Sequence, residues 1–149
     1  MFEHARPKNF ATYLDVVNRN LKPDGIFLLQ TIGANKTDLN VDPWINKYSF
    51  YNGCLPSLVH IAAASERYFV TEEIHDFGQN YDKTLMAWNQ RFLASWNCIE
   101  DNYSERFKRM FIHYLNSCID AFHARDIQLW QVIFTRGTMG GLTFPRYKG

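Results

Sequence analysis

Several signals that would fix a protein's class at a glance are missing from this 149-residue chain. Cysteine occurs only three times, at Cys54, Cys98 and Cys118, with no CxxC pair and no Cys/His comb, which argues against the common zinc modules. Three widely spaced thiols suit a reducing, cytosolic compartment better than a disulfide scaffold. Charge of one sign is also lacking: 16 basic residues against 15 acidic ones give a formal net charge of +1. Without a Lys/Arg stripe, a nucleic-acid partner is not expected. No apolar run reaches the ~18 residues of a membrane span, and the N-terminus lacks the basic-then-apolar order of a secretory signal. There is no GxGxxG-like segment at a strand-to-helix turn, no internal repeat and no low-complexity stretch.

What the chain does have is apolar bulk. Hydrophobic residues make up 46% of it and aromatics 16%, enough for one compact domain with a large core or a deep apolar pocket. Phe10, Tyr13, Leu14 and Val17 recur at i, i+3, i+4, i+7, predicting a helix from Pro7 to Asn20. "LKPDG" stops it, and "IFLLQTIG" follows as a short apolar run like a strand buried on both faces. Residues 34–56 read as a long irregular loop with a helical turn around Trp44 to Tyr48. Ser57 is placed to cap a helix to about Arg67, and "YFVTEEIHDFG" reads as a second strand. A helix from about Tyr81 to Trp96 carries Leu85, Trp88, Phe92 and Trp96, and its aromatic stripe reads as core, with the wall of a binding pocket as the alternative. Another begins near Ser104 with a wide apolar stripe that includes Phe111, Tyr114, Leu115 and Cys118. "IQLWQVIFTRG" is the last strand. Three strands among so many helices leave a sheet edge unpaired, as if half a sheet were absent.

The segments "MFEHARPKNFATYLDVVNRNLKPDGIFLLQTIG", "DLNVDPWINKYSFYNGCLPS", "NYDKTLMAWNQRF" and "NYSERFKRMFIHYLNSCIDAFHARDIQLWQVIFTRG" resemble, in order, the C-terminal portion of bacterial cyclopropane-fatty-acyl-phospholipid synthases. The resemblance implies an α/β fold, here the C-terminal half of a Rossmann-like class I methyltransferase with a mixed sheet and flanking helices. Residues 1–137 would belong to the catalytic domain and residues 138–149 would form a flexible tail. It further implies S-adenosylmethionine as donor and the double bond of an unsaturated membrane phospholipid as acceptor. The "FEH" turn would lie at the carboxyl end of a central strand, where ligands bind in such sheets. The nucleotide-holding glycine loop, an acidic residue and a pocket cysteine of the family would all lie upstream of Met1, so the chain alone is expected to bind the cofactor weakly or not at all.

Methylating an alkene leaves a carbocation beside the new methyl group, and ring closure needs a base to take a proton from that methyl. The pocket must be apolar and dry, because water would trap the cation. In the family the base is a bound bicarbonate. By resemblance, Glu3 orients that ion, Ile32 contacts it through its backbone and Tyr81 donates a hydroxyl to it. Gln30 stands where the family has a histidine, and an amide donates a hydrogen bond but carries no proton away. Read from the residues alone, Glu3 is equally a terminal acid, Gln30 a core polar group and Tyr81 plain packing. His4, beside Glu3, reads as structural, and His60, His75, His113 and His123 share no ligand spacing. Lys108 and Arg109 read as a solvated helix face or, on the resemblance, as headgroup contacts. The implied setting is cytoplasmic with peripheral contact at the inner membrane face. Two other readings stay open: a non-catalytic remnant that self-associates or binds lipid, with homodimerisation through the open edge, and a methyltransferase acting on a small acceptor. The space beneath residues 34–56 discriminates between acceptors, since an acyl chain needs an apolar tunnel.

Overall fold

Pro7 opens the first helix, α1 (Pro7–Asn20), at the position where its missing N–H has no partner to lose. The computed structural model describes residues 1–38, 42–51, 53–137 and 141. A 3₁₀ turn, Phe2–His4, precedes α1, and the Lys22–Gly25 turn, closed by a 2.9 Å bond from the Gly25 amide to the Lys22 carbonyl, delivers the chain into strand β1 (Phe27–Ala34). Then come α2 (Pro43–Tyr48), α3 (Leu58–Ser65), β2 (Val70–Asp76), α4 (Gly78–Ala94), α5 (Glu105–His123) and β3 (Ile127–Thr135). Local chemistry starts three of the helices. The Asp42 carboxylate accepts from the Trp44 and Ile45 amides, Ser104 accepts from the Phe107 amide, and Ser57 forms a reciprocal capping box with His60.

The sheet order is β1-β3-β2, with β3 antiparallel to both neighbours, so β1 and β2 run the same way on either side of it. The architecture is α/β as expected. Its described pairings are all antiparallel, and the parallel part of a mixed sheet would need a neighbour on the outer edge of β1, which no described strand occupies. Helices α1 and α3 cover one face, where Phe2, Phe10, Leu14, Leu29, Trp130, Val132 and Phe134 form the larger core. Helices α4 and α5 cover part of the other face through Leu85, Leu115, Phe122 and Leu129. At about 25 cal/mol per Å² of apolar surface, a buried phenylalanine contributes ~2–3 kcal/mol, and Phe2, Phe10 and Phe134 are each fully buried.

Three expectations change. The run "IFLLQTIG" is not buried on both faces: Leu29, Thr31 and Gly33 are buried, whereas Leu28 is 47% exposed and Gln30 is also exposed. The α4–α5 layer reaches only the Ile32–Leu129–Ile127 end of its face. Trp88, read as core with its stripe, is 47% exposed, whereas Leu85 and Trp96 are buried. Helix α4 also begins at Gly78, three residues before Tyr81. The tail expected over 138–149 lies outside the described residues except for Gly141. Among the described residues, no helix is long and apolar enough to cross a membrane.

Candidate active site

A cavity of about 610 Å³ opens where the Phe2–His4 turn, the carboxyl end of β1, the described residues between 34 and 55, α4 and α5 converge. Tight backbone packing builds its floor. A Cβ on Gly33 would lie 2.2 Å from Trp130 Cζ3 and 2.6 Å from the Pro56 carbonyl, so only glycine lets these elements close. The Ala34 amide donates to the Pro56 carbonyl and the Cys54 amide to the Glu3 carbonyl, each at 2.9 Å, which ties the loop to the strand end and to the turn.

Glu3 is a half-buried charge of the cavity, whose lining also includes Asp38 and Asp42. Its Oε1 accepts from the Ile32 amide at 2.8 Å and its Oε2 from the Met1 ammonium at 2.9 Å. Burial pushes its carboxyl up more than any other single influence. Its own amide, the ammonium and the Ile32 amide together outweigh that and hold it below the usual carboxylate range. The phenols and thiols nearby stay protonated. Burial, and then the neighbouring Cys118, raise the phenols of Tyr81 and Tyr114; Tyr114 is raised furthest. Burial raises the Cys118 thiol despite a hydrogen bond with Tyr114, and burial and then Asp38 raise that of Cys54. The result is the Glu3 carboxylate, with Asp38 and Asp42 also in the lining, near protonated phenols and thiols in a largely apolar enclosure, a setting that orients hydrogen-bond donors and shelters a cation from water.

Three of the four residues singled out from the sequence meet here: Glu3, Ile32 and Tyr81 line the cavity. Gln30 does not. It lines an adjoining hollow of about 270 Å³, which Tyr81 also borders, and its Oε1 accepts from Gln131 Nε2 at 2.8 Å. His4 was read as structural because adjacent side chains diverge. In the tight 3₁₀ turn it lines the cavity beside Glu3, with its ring 5.5 Å from Phe50. His113, Trp44, Tyr114 and Cys118 line it as well. The signal for Tyr114 and Cys118 was present, as two polar tips one turn apart on an otherwise apolar stripe. Nothing local marked His4, Trp44 or His113. Among the described residues no cluster of three or more His, Cys, Asp or Glu side chains is arranged to hold a metal ion.

A nucleotide cradle does not fit the strand-to-helix turn that contains a glycine, between β2 and α4. A Cβ on Gly78 would lie 2.4 Å from Gln128 Oε1, and the Gly78 amide already donates to Asp76 Oδ1 at 2.8 Å. Both the space and the amide that would receive a phosphate or carboxylate are taken by the protein itself.

Comparisons with known proteins agree on one family. The profile described as mycolic acid cyclopropane synthetase matches residues 1–132. The cyclopropane-fatty-acyl-phospholipid synthase of Escherichia coli (strain K12) is 68% identical over 146 residues, 98% of this chain, and the chain spans only 38% of that protein's length. A cyclopropane-fatty-acyl-phospholipid synthase of Citrobacter freundii is 57% identical over 87 residues, 58% of this chain and 98% of that sequence. Among solved structures, the cyclopropane synthase MmaA2 from Mycobacterium tuberculosis superposes with a TM-score of 0.83 at 20% identity. That superposition covers 90% of this chain and 52% of that one and shows the shared fold.

Proposed function

Because the chain belongs to the cyclopropane synthetase family, we propose that it forms the acceptor-side wall of an S-adenosylmethionine-dependent cyclopropane-fatty-acyl-phospholipid synthase. The observation that carries this reading is the apolar, aromatic-lined cavity of about 610 Å³ holding the ionised Glu3. A small polar acceptor would not call for that lining, whereas an unsaturated acyl chain would. A lapsed structural remnant is not favoured, given 68% identity to an Escherichia coli synthase.

S-adenosylmethionine, when bound, supplies the methyl group; the β2–α4 turn does not fit its nucleotide. The role of this chain is to exclude water from the alkene and to stabilise the cation left after methyl transfer. The faces of Tyr81 and Trp88 are suited to that task, with ring centroids 6.3 Å apart along the same wall. Ring closure would then pass one proton from the new methyl group to bicarbonate, the base the family resemblance implies. The described residues do not complete a bicarbonate site, because the Ile32 amide is already committed to Glu3 and Gln30 sits in the adjoining hollow. Tyr81, one of the cavity hydroxyls with Tyr114 and Ser117, is the one the family resemblance assigns as donor to that acceptor.

The deciding experiment is methyl transfer from labelled S-adenosylmethionine to unsaturated phospholipid vesicles with bicarbonate present, using the chain alone and mixed with an N-terminal part of the Escherichia coli relative. Activity confined to the mixture is expected. Silence in a mixture that demonstrably associates would overturn the reading.

A further inference from the structure

The corner between α5 and β3 has a backbone geometry that its residue does not favour. Helix α5 ends in a doubly bonded left-handed turn: the Arg125 amide donates to the Phe122 carbonyl and the Asp126 amide to the Ala121 carbonyl, each at 3.0 Å. Arg125 takes the left-handed position, with φ at 61°, a place that glycine ordinarily fills because a Cβ is strained there. The turn by itself calls for glycine. What arginine offers in its stead is a guanidinium.

That group ties four elements together. Arg125 Nη2 donates to Asp76 Oδ2 at 3.0 Å and to Gln128 Oε1 at 3.3 Å, and the Arg125 carbonyl accepts from Gln128 Nε2 at 3.0 Å and from Asn35 Nδ2. Gln128 is buried, so Arg125 satisfies both ends of its amide. Asp76 passes the constraint on. Its Oδ1 accepts from the amide of Gly78, the first residue of α4, whose own N-cap residue Phe77 supplies no side-chain acceptor. One turn further along α4 is Tyr81, with its ring centroid 5.0 Å from that of Phe122. Arg125 therefore holds this ring pair from both sides, by its amide on Phe122 and through Asp76 on the helix start that carries Tyr81. Asn35 brings in the strand-end loop between Ala34 and Asp38, both in the cavity lining.

Resting on the synthase reading above, we infer that Arg125 is a positioning residue for that reaction: through Asp76 and Gln128 it fixes the first turn of α4 and so holds the Tyr81 hydroxyl at the cavity wall. It touches no reacting atom. The Arg125 and Asp76 side chains are 54% and 34% exposed, and an ion pair that open adds little to overall stability. Its effect falls on where the turn sits, and small displacements of a donor group are felt in the rate.

Arg125→Gly keeps the turn, since glycine suits the left-handed position, and its melting temperature should stay within about 3 °C of wild type. In the 149-residue chain alone, hydrogen exchange of the amides of residues 78–83 should quicken about ten-fold in R125G. It should stay unchanged in R19A, which loses a comparably exposed pair with Asp15 on α1. Asp76→Asn keeps an oxygen for the Gly78 amide but loses the charge facing Arg125, and should quicken the same amides; it carries the test should R125G melt early. In the reconstituted methyl-transfer assay, R125G should lower kcat about ten-fold and leave KM for the phospholipid within about two-fold. On a Tyr81→Phe background the same change should lower kcat by less than about two-fold, because its effect runs through that hydroxyl. Unchanged exchange in a folded variant overturns the inference, as does wild-type kcat in R125G or a full ten-fold loss on the Tyr81→Phe background. Each of those outcomes leaves the synthase reading standing. A wild-type chain silent in an associated mixture removes that reading and this inference together.

Discussion

Glu3 keeps its charge in a place that by burial alone would take it away, with its side chain only 17% exposed. Because its folded-state value lies below the unfolded one, its contribution is fully present above the ordinary glutamate range near ~4.3 and is lost as pH falls through the lower folded value. Glu3→Gln should therefore cost about 1–2 kcal/mol at neutral pH, read as a lowered melting temperature. The gap to wild type should close in acid; a gap independent of pH would contradict the assignment of charge. In the reconstituted methyl-transfer assay, Tyr81→Phe should lower the rate by about a hundred-fold if its hydroxyl serves the proton-accepting step. Gln30→Ala, outside the main cavity, should lower it less than about ten-fold. The reverse ranking would move the reacting centre towards the hollow that Gln30 lines.

At the scale of elements, turn chemistry and periodicity were legible because they are local. Pro7 and Asn20 bound α1 in both sequence and structure, and Ser57 and Ser104 cap helices where their types predict. The Ser57 cap should be worth ~1 kcal/mol, so Ser57→Ala should lower thermal stability by that amount and leave the fold intact by circular dichroism. Gly33 reports a tertiary constraint instead. Gly33→Ala drives a methyl group into Trp130 and the Pro56 carbonyl, and a loss of about 1–3 kcal/mol by denaturant titration is expected. Burial along β1 was not legible. An apolar run says nothing of how far the helical layer beyond it extends, and here that layer stops short of Leu28 and Gln30.

For the molecule as a whole, the outer edge of β1 has no described partner, and Ile26 just before the strand and Leu28 on its uncovered face lie exposed nearby. An uncovered strand edge beside apolar side chains pairs readily with another chain. The isolated chain should therefore associate with rising concentration in sedimentation velocity, and Leu28→Lys should reduce that association. An excess of the N-terminal part of the Escherichia coli relative should disperse it by taking the edge. Association indifferent to both would place the contact elsewhere.

The sequence by itself determined the order of the helices, the starts of α1, α3 and α5, the three strands and the family, since caps, periodicity and motif order are all written within a few tens of residues. Only the tertiary structure decided which side chains share the cavity. Glu3 meets the Ile32 amide across 29 positions, and His113 on α5 meets Trp44 on α2. Gln30 and Ile32, two apart on one face of β1, part company because α4 and α5 cover only the end that Ile32 occupies. A strand's alternation fixes which face a residue points to. What lies opposite that face is fixed by how distant helices pack, and no local pattern encodes it.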